Sequence, residues 1–230
     1  MRRIGRQQTS SWRHAWPWRA VPGQVGRPAG VLGSQEFRSS RQGFMTDTNA
    51  ALRAHWDVVA TREIYRNDFF RLRRDSCALT LSPEVTADHY VLEMPDAVIV
   101  VPITETGALV LVEQYRHGAD GEFLEFPGGQ LGQANEVLEL AAARELWEET
   151  GYHAAALRYL GAQYPNPGAQ TNRIHTFLAE VNCGEFRAPD PFESLRVVVL
   201  TQEQLHQRIA QGAKVPSATL AALSLLALAR

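Results

Sequence analysis

The sequence contains little cysteine and no long apolar run. Cys77 and Cys183 are its two cysteines, and neither lies in a CxxC or Cys/His spacing that would indicate a zinc site or a redox motif. We expect two buried, reduced thiols and therefore a reducing compartment such as the cytoplasm. Because no apolar run reaches the length of a transmembrane helix, we expect no membrane partner.

Basic charge is scarce outside the first residues. Residues 1–44 hold eight arginines, no lysine and one acid, Glu36, within a chain of net charge −2. The remaining residues, 45–230, hold 15 basic and 24 acidic side chains, a net charge of −9. Such an acidic body lacks the basic footprint that nucleic-acid binding needs, so we expect no nucleic-acid partner.

Residues 1–44 also lack any sustained helical or strand periodicity. Arg, Ser, Gln, Gly and Pro dominate them, which predicts a disordered basic leader that cannot bury a core. A mitochondrial transit peptide has this composition. An upstream start artefact is the favoured alternative, because Pro and Gly keep the arginines off one helical face and Met45 resembles a natural N-terminus. The first origin implies a mitochondrial protein and the second a cytoplasmic one.

The most informative stretch runs from Gly128 to Tyr152. Within it, Glu145, Glu148 and Glu149 share one helix face, because side chains three and four residues apart lie on the same side. Facing carboxylates repel one another unless a cation lies between them. A hard divalent cation, Mg²⁺ or Mn²⁺, is the natural occupant. The alternative is an ordinary solvated helix face.

The wider spacing of charged residues favours the metal site. Seven residues separate Glu136 from Arg144-Glu145, and Glu148-Glu149 and Gly151 follow at fixed intervals. Five such letters in register arise by chance on the order of once in a million positions. This pattern resembles the signature box of the Nudix hydrolases, which cleave nucleoside diphosphates linked to another moiety.

Glycines flank the predicted helix on both sides. Gly151 is expected to end it, and Gly128 and Gly129 are expected to let the backbone turn tightly before it. The opening glycine of the family lies six residues before the first glutamate, where this chain has Gln130. Gly129 comes one residue too early, which predicts that the loop 130–135 is one residue longer than usual.

Apolar alternation and turn residues predict the remaining elements. Thr201 and Ser217 are predicted to cap two C-terminal helices, at 202–211 and 218–229. Strands are predicted at 58–65, 69–75, 89–94, 97–103, 108–115, 123–127, 157–164, 173–181 and 195–200.

The chain from Trp56 to Ala229 resembles the ADP-ribose pyrophosphatase branch of the Nudix family. Arg116 follows Gln114-Tyr115 at the end of a strand as in that branch, and Pro167 lies fifteen residues past Tyr152, close to a proline of nucleoside-diphosphate-sugar hydrolases. The resemblance implies an α/β (α+β) fold: an α/β/α sandwich with a mixed sheet, preceded by an antiparallel sheet. The expected divisions are a leader at 1–44, the N-terminal sheet at 45–95 and the hydrolase domain at 96–230.

The resemblance also implies an activity, a cofactor and a partner. The expected reaction is metal-dependent hydrolysis of a nucleoside diphosphate sugar, converting ADP-ribose to AMP and ribose 5-phosphate with Mg²⁺ or Mn²⁺. A homodimer joined through the N-terminal sheet is expected. GDP-mannose, NADH or an oxidised nucleotide are the alternative substrates. A non-catalytic ADP-ribose sensor is less favoured, because the carboxylate set is intact and the sequence shows no attached DNA-binding domain.

Residue roles follow from the same resemblance. Glu145, Glu148 and Glu149 are expected to hold the metal with a carbonyl near Gly128, and Glu148 and Glu149 are counted as catalytic. The base that deprotonates water is expected to be Glu193, which precedes a strand. A solvent-exposed loop acid is the equal alternative for Glu193, and Glu125 is a lesser candidate for the base.

Other residues are expected to support the site or to bind substrate. Glu136 and Arg144 are expected to form an orienting ion pair, with Gly129 and Gly151 as backbone support. Substrate contacts are expected from Arg116, Asn166 and Arg173, with His175 lining the pocket or facing solvent. The adenine ring is expected on an aromatic side chain of the N-terminal sheet, unless these residues pack in the core: Trp56, Tyr65 or Phe69.

Overall fold

The computed structural model describes residues 55–132, 136–182 and 195–229. Contacts between Cα atoms divide the chain into two units, Met1–Thr46 and Asp47–Arg230, and every described residue belongs to the second. The predictions for the leader at 1–44, for Cys183 and for Glu193 lie outside the described residues. Cys77 is a buried, free thiol.

A three-stranded antiparallel sheet forms the N-terminal part of the described chain, as predicted. Its strands are β1 (Trp56–Arg66), β2 (Arg71–Leu79) and β3 (Ser82–Glu93). The Asn67 side chain closes the turn after β1 by accepting the backbone N–H groups of Phe69 and Phe70 at 2.9 and 2.8 Å. The predicted third strand began only at residue 89, because the polar residues before it show no clear apolar alternation; pairing with β2 makes them a strand.

A seven-stranded mixed sheet forms the body. Its main path runs β10-β5-β4-β9-β8, with β6 on β5 and β7 on β4; the β4–β9 pair is parallel and all other pairs are antiparallel. The strands are β4 (Ala97–Thr104), β5 (Leu109–Arg116), β6 (Gly121–Glu125), β7 (Gly128–Gln130), β8 (His153–Gln163), β9 (Ile174–Asn182) and β10 (Leu195–Leu200).

Three α-helices are described: α1 (Leu138–Thr150), α2 (Gln202–Ala210) and α3 (Ser217–Leu228). Thr201 caps α2 as predicted, with Gln204 completing a capping box. The predicted cap at Ser217 is wrong, because Pro216 is the N-cap and Ser217 is already helical. None of the helices in these described ranges is both long and apolar enough to cross a membrane.

Helices cover both faces of the seven-stranded sheet. On β4, Val98 and Val100 join the core under α1, whereas Ile99 and Val101 join the core under α2 and α3. Successive strand residues point to opposite faces, so one continuous apolar run supplies both cores. The predicted α/β/α sandwich with a mixed sheet is therefore confirmed.

Candidate active site

Strand β7 forms one side of the candidate site, and its two glycines let β4 and α1 approach it closely. Gly128 and Gly129 pair with Ile99 and Val98 of β4. A Cβ on Gly128 would overlap the Val98 carbonyl, and a Cβ on Gly129 would lie 2.5 Å from a carboxylate oxygen of Glu145. The prediction that these glycines make a tight turn is wrong: they form a strand, and their lack of a side chain lets β4, β7 and α1 come together.

Two glutamates of α1 lie against this strand. The backbone N–H of Gly128 donates to Glu149 Oε2 at 3.0 Å. Glu145, one turn earlier, packs its carboxylate on Gly129 and is largely buried. Gly151 ends α1 in the left-handed conformation (φ 72°), with its N–H donating to the Trp147 carbonyl. The helix therefore ends directly after the residues that face β7.

Arg144 binds three acidic side chains, two on α1 and one just before it. Its Nη1 donates to Glu145 Oε1 at 2.9 Å and to Glu148 Oε2 at 3.1 Å, and its Nε donates to Glu136 Oε1 at 3.2 Å. Gly132 N–H adds a hydrogen bond to Glu136 Oε2 at 2.7 Å. The Arg144 hydrogen bond, followed by that from Gly132, holds the pKa of Glu136 below its ordinary value, and Glu136 in turn raises the pKa of Arg144. One guanidinium thus contacts three carboxylates and offsets about one of their three negative charges.

The donor set suits a hard divalent cation. Within the described ranges, no three His, Cys, Asp or Glu side chains are arranged together as a ligand set, and the Arg144 Nη1 lies between Glu145 and Glu148. Every candidate donor here is nevertheless a carboxylate or carbonyl oxygen, the ligand type that Mg²⁺ and Mn²⁺ prefer. The lack of a side chain at Gly129 lets the Glu145 carboxylate lie directly against β7, in space that a Cβ would need. These residues therefore fit such a cation, which would compete with Arg144 for the carboxylates.

A second arginine lies on the same face of the sheet. Strand alternation puts Arg116 on the side of Val110, which belongs to the core under α1. Glu125 of β6 pairs with Val112 and so shares that side. Arg116 donates Nε and Nη2 to the two carboxylate oxygens of Glu125, both at 2.7 Å. A predicted substrate-binding arginine is thus fixed by a carboxylate three residues before Gly128.

Asp96 is a polar residue that the sequence did not single out. Its carboxylate accepts the backbone N–H of Arg173 at 2.8 Å and the Arg173 guanidinium, and lies 3.1 Å from His175 Nε2. His175 is buried, with its Nδ1 3.1 Å from the Tyr159 hydroxyl. Burial raises the pKa of Asp96, but the hydrogen bonds from Arg173 and His175 and the Arg173 charge outweigh it, so the pKa lies below its ordinary value. His175 therefore does not face solvent, the alternative that strand alternation left open.

Comparison with known proteins identifies the family. The NUDIX domain model matches residues 93–220, more than half of the chain. The chain belongs to the NUDIX family. The seven-stranded sheet, α1 with the box glutamates, and α2 lie within that match.

Several relatives resemble this NUDIX chain over different lengths. An ADP-ribose pyrophosphatase of Bacillus subtilis (strain 168) is 39% identical over 90 residues, 39% of this chain and 48% of the relative, so the match spans about half of that relative. A methanol dehydrogenase activator of Bacillus methanolicus is 29% identical over 173 residues, 74% of this chain and 92% of the relative. A solved structure described as ADP compounds hydrolase has a TM-score of 0.63 at 22% identity, covering 74% of this chain and 91% of that one, which shows the shared fold.

The remaining predicted contacts of the NUDIX chain lie on its surface. Asn166 is exposed, and its carbonyl accepts the N–H groups of Ala169 and Gln170 in a turn before β9. The aromatic residues Trp56, Tyr65 and Phe69 are exposed on the N-terminal sheet and its hairpin, so the alternative that they pack in the core is wrong. The ring of Trp56 contacts His89 and that of Tyr65 contacts Phe70, both within the N-terminal sheet and its hairpin.

Sequence reasoning missed the partners rather than the candidate residues. Asp96 carried one usable signal, its position after Pro95 at the start of a buried strand. Glu125 was considered only as a base, and its pairing with Arg116 depends on the register between β5 and β6. Tyr159 reads as an ordinary strand residue and carried no signal for its contact with His175.

Proposed function

We propose that this protein hydrolyses the pyrophosphate bond of a nucleoside diphosphate sugar in a metal-dependent reaction, with ADP-ribose as the preferred substrate, giving AMP and ribose 5-phosphate. The observation that carries the proposal is the placement of Glu145 and Glu149 against the Gly128–Gly129 strand. The ADP-ribose pyrophosphatase relative supports the choice of substrate. Water attacks one phosphorus, and the bond between that phosphorus and the bridging oxygen breaks.

The carboxylates of α1 are the proposed cation ligands. Glu145, Glu148, Glu149 and the Gly128 carbonyl would hold Mg²⁺, or Mn²⁺ in its place. The bound cation would neutralise the pyrophosphate, polarise a phosphoryl oxygen and lower the pKa of a water. Glu136 binds Arg144, and this contact would keep the guanidinium beside the acidic turn when Glu145 and Glu148 hold a cation instead.

The other proposed roles belong to residues around this helix. Arg116 binds the substrate phosphates, since a guanidinium matches their geometry. Glu193 is the proposed base that accepts the proton of the attacking water; in the sequence it precedes the first residue of β10, Leu195, by two positions. Asn166 and Arg173 are proposed to contact the sugar and nucleoside ends. Glycines 129 and 151 support the helix and its contact with β7.

The proposed assembly is a homodimer. All eleven residues of β1 are exposed, and its exposed apolar side chains include Trp56, Val58 and Val59. Exposed apolar strands of this kind commonly mark an association surface. The buried free thiol of Cys77 suits a reducing compartment, and we place the protein in the cytoplasm.

A substrate panel tests the proposal. Purified protein with Mg²⁺ is given ADP-ribose, GDP-mannose and NADH, and the phosphate monoesters formed are detected after phosphatase treatment and identified by chromatography. We expect AMP and ribose 5-phosphate from ADP-ribose as the fastest products. Faster turnover of GDP-mannose or NADH would contradict ADP-ribose as the preferred substrate, but it would still support hydrolysis of a nucleotide pyrophosphate. Tight ADP-ribose binding without hydrolysis under Mg²⁺ or Mn²⁺ would overturn the enzyme in favour of a sensor.

A further inference from the structure

The Arg116–Glu125 pair differs in kind from a surface ion pair. The Glu125 side chain is 9% exposed, whereas the Arg116 side chain is 48% exposed. Both oxygens of Glu125 accept from one edge of the guanidinium at 2.7 Å. A buried carboxylate is costly unless it is paired and hydrogen-bonded in this way, so the inner end of the pair is fixed by the fold.

The geometry fixes the plane of the guanidinium. Arg116 and Glu125 sit on neighbouring strands, but Arg116 pairs in register with Gly121 rather than with Glu125. The arginine therefore reaches back along β5 by four residues of register to meet the carboxylate. A bidentate pair holds a planar group in one orientation. Less side-chain freedom is therefore lost on binding a ligand than for a flexible surface arginine.

The position of the pair connects it to the acidic site. Glu125 is separated from Gly128 only by Phe126 and Pro127, and the Gly128 N–H contacts Glu149. Phe126 is buried in the core under α2 and α3, which anchors the segment from the opposite face of the sheet. A change in the Glu125 carboxylate therefore alters where Arg116 is held without moving the backbone that positions α1.

We propose that Glu125 is a positioning residue, which holds the Arg116 guanidinium in the plane needed to bind the anionic pyrophosphate of the substrate, and that it does not itself accept a proton. This inference rests on the proposed function, since Arg116 needs a phosphate ligand. Glu125 acts through Arg116, so its removal has little effect once Arg116 is gone.

A double-mutant cycle tests this coupling. Glu125→Gln keeps the size of the side chain and removes its charge, and Arg116→Ala removes the guanidinium. We expect Glu125→Gln to lower kcat/KM by about 10- to 100-fold, with KM raised, because misplacing a binding group by an ångström has such an effect. In the Arg116→Ala background the same change should alter kcat/KM by less than about twofold. Equal effects in both backgrounds would overturn the positioning role.

Controls separate positioning from loss of fold. Glu122→Gln is the matched control, because Glu122 lies on the same strand, is exposed and points to the opposite face; its kcat/KM should equal that of the wild type. Each variant is melted to confirm that it is folded. If Glu125→Gln does not fold, Glu125→Asp replaces it, since it keeps the charge and withdraws the carboxylate from Arg116; a wild-type kcat/KM for Glu125→Asp would overturn the proposal.

A binding experiment separates this inference from the proposed function. ADP-ribose is titrated calorimetrically into the wild-type and Glu125→Gln proteins in the presence of a chelator. We expect affinity to fall by about tenfold in the variant, which is one bidentate contact held less well. Wild type that binds ADP-ribose but hydrolyses no nucleotide sugar would refute the proposed function alone. Equal affinity of the two proteins would refute the role of Glu125, and so would a wild type that binds no ADP-ribose without the cation, because Arg116 would then supply no phosphate contact of its own.

Discussion

Asp96 connects two segments of the chain that lie beside the candidate site. Its backbone carbonyl accepts the Leu131 N–H at 2.9 Å, at the end of β7. Its carboxylate accepts the Arg173 N–H and contacts His175, at the start of β9. One residue before β4 thus connects the segment that leads to α1 with the strand that carries His175. The glycine strand that supports Glu145 and Glu149 is anchored at its far end by this residue.

Asp96→Asn is expected to destabilise the protein in a pH-dependent way. The folded-state pKa of Asp96 lies below its ordinary value, so the ionised carboxylate stabilises the fold above the unfolded pKa of about 3.9. That stabilisation is lost as pH falls through the folded-state pKa. We expect the variant to lose about 1–3 kcal/mol of unfolding free energy at pH 7. Urea unfolding of both proteins from pH 7 to pH 3 measures it.

The shape of the pH dependence decides this prediction. The difference in unfolding free energy between wild type and Asp96→Asn should be constant near neutral pH. It should decrease below about pH 4, because the wild-type carboxyl then becomes neutral as well. A gap that is the same at pH 3 and pH 7 would mean that the charge of Asp96 contributes nothing.

Glycines 128 and 129 are adjacent and should respond differently to alanine. At Gly128 the new Cβ meets the backbone of Val98, which cannot move without breaking the β4–β7 pairing, so Gly128→Ala should be strongly destabilised. At Gly129 it meets the end of the flexible Glu145 side chain, which can move. Gly129→Ala should therefore stay folded but need more Mg²⁺ for half-maximal activity. Melting temperatures and Mg²⁺ titrations of activity measure the two effects.

Gly118→Ala serves as the control for both changes. A Cβ at Gly118 meets nothing within 4 Å, so its melting temperature and Mg²⁺ dependence should match the wild type. A wild-type Mg²⁺ dependence in Gly129→Ala would contradict the idea that contact with β7 positions Glu145 to bind a cation.

At the scale of single elements, α1 is a helix with one buried side. Ala141, Ala142 and Leu146 are fully buried under it, whereas Leu140 is 65% exposed. The small alanines let the helix approach β4, and Leu146 supplies the bulk of its contact with Val98, Val100 and their neighbours. This packing fixes the position of α1 over the sheet and so the place where Glu145 and Glu149 contact β7.

Leu146→Ala is expected to cost about 2–5 kcal/mol of unfolding free energy, because it leaves a cavity under α1. Leu140→Ala, on the exposed side of the same helix, should change the free energy by no more than about 0.5 kcal/mol. Urea unfolding of the two variants measures both values. Similar losses for both would show that α1 is not anchored through Leu146.

Elements with a strong pattern could be predicted from the sequence, and elements defined by pairing could not. The apolar run of β4 and the acidic spacing of α1 are local features, and the structure has both. Strand β7 has only Gly128, Gly129 and Gln130, which show no alternation, so its glycines suggested a turn. The candidate glutamates followed from spacing alone. The Arg116–Glu125 and Asp96–His175 contacts depend on strand register, which no local pattern contains.

At the scale of the whole molecule, the three-stranded sheet carries an unusual share of exposed apolar residues. Val58, Val59, Ile64 and Tyr65 lie exposed on β1, and Phe69 on the hairpin that follows. Exposed apolar side chains on a strand at the edge of a sheet invite pairing with another chain. A second copy of the chain is the proposed occupant.

Val59→Asp is expected to shift the protein from dimer to monomer, because it places a charge in the proposed interface. Sedimentation velocity over a range of concentrations measures the mass. Leu228→Asp is the matched control: Leu228 is also exposed, at the end of α3, and its variant should remain a dimer. A wild type that is monomeric at all concentrations would contradict the proposed assembly.

The most direct test of the account is the Mg²⁺-dependent hydrolysis of ADP-ribose by wild type, Glu149→Gln and Glu139→Gln. Glutamine at 149 can still accept the Gly128 N–H, so this change removes the charge and keeps the contact. Glu139 lies exposed in the first turn of the same helix. We predict that Glu149→Gln lowers kcat/KM by about 100-fold or more, the effect of losing several kcal/mol of metal-supplied stabilisation, and that Glu139→Gln equals the wild type. Equal loss in both variants, or none in either, would contradict the assignment of the acidic helix as the catalytic metal site.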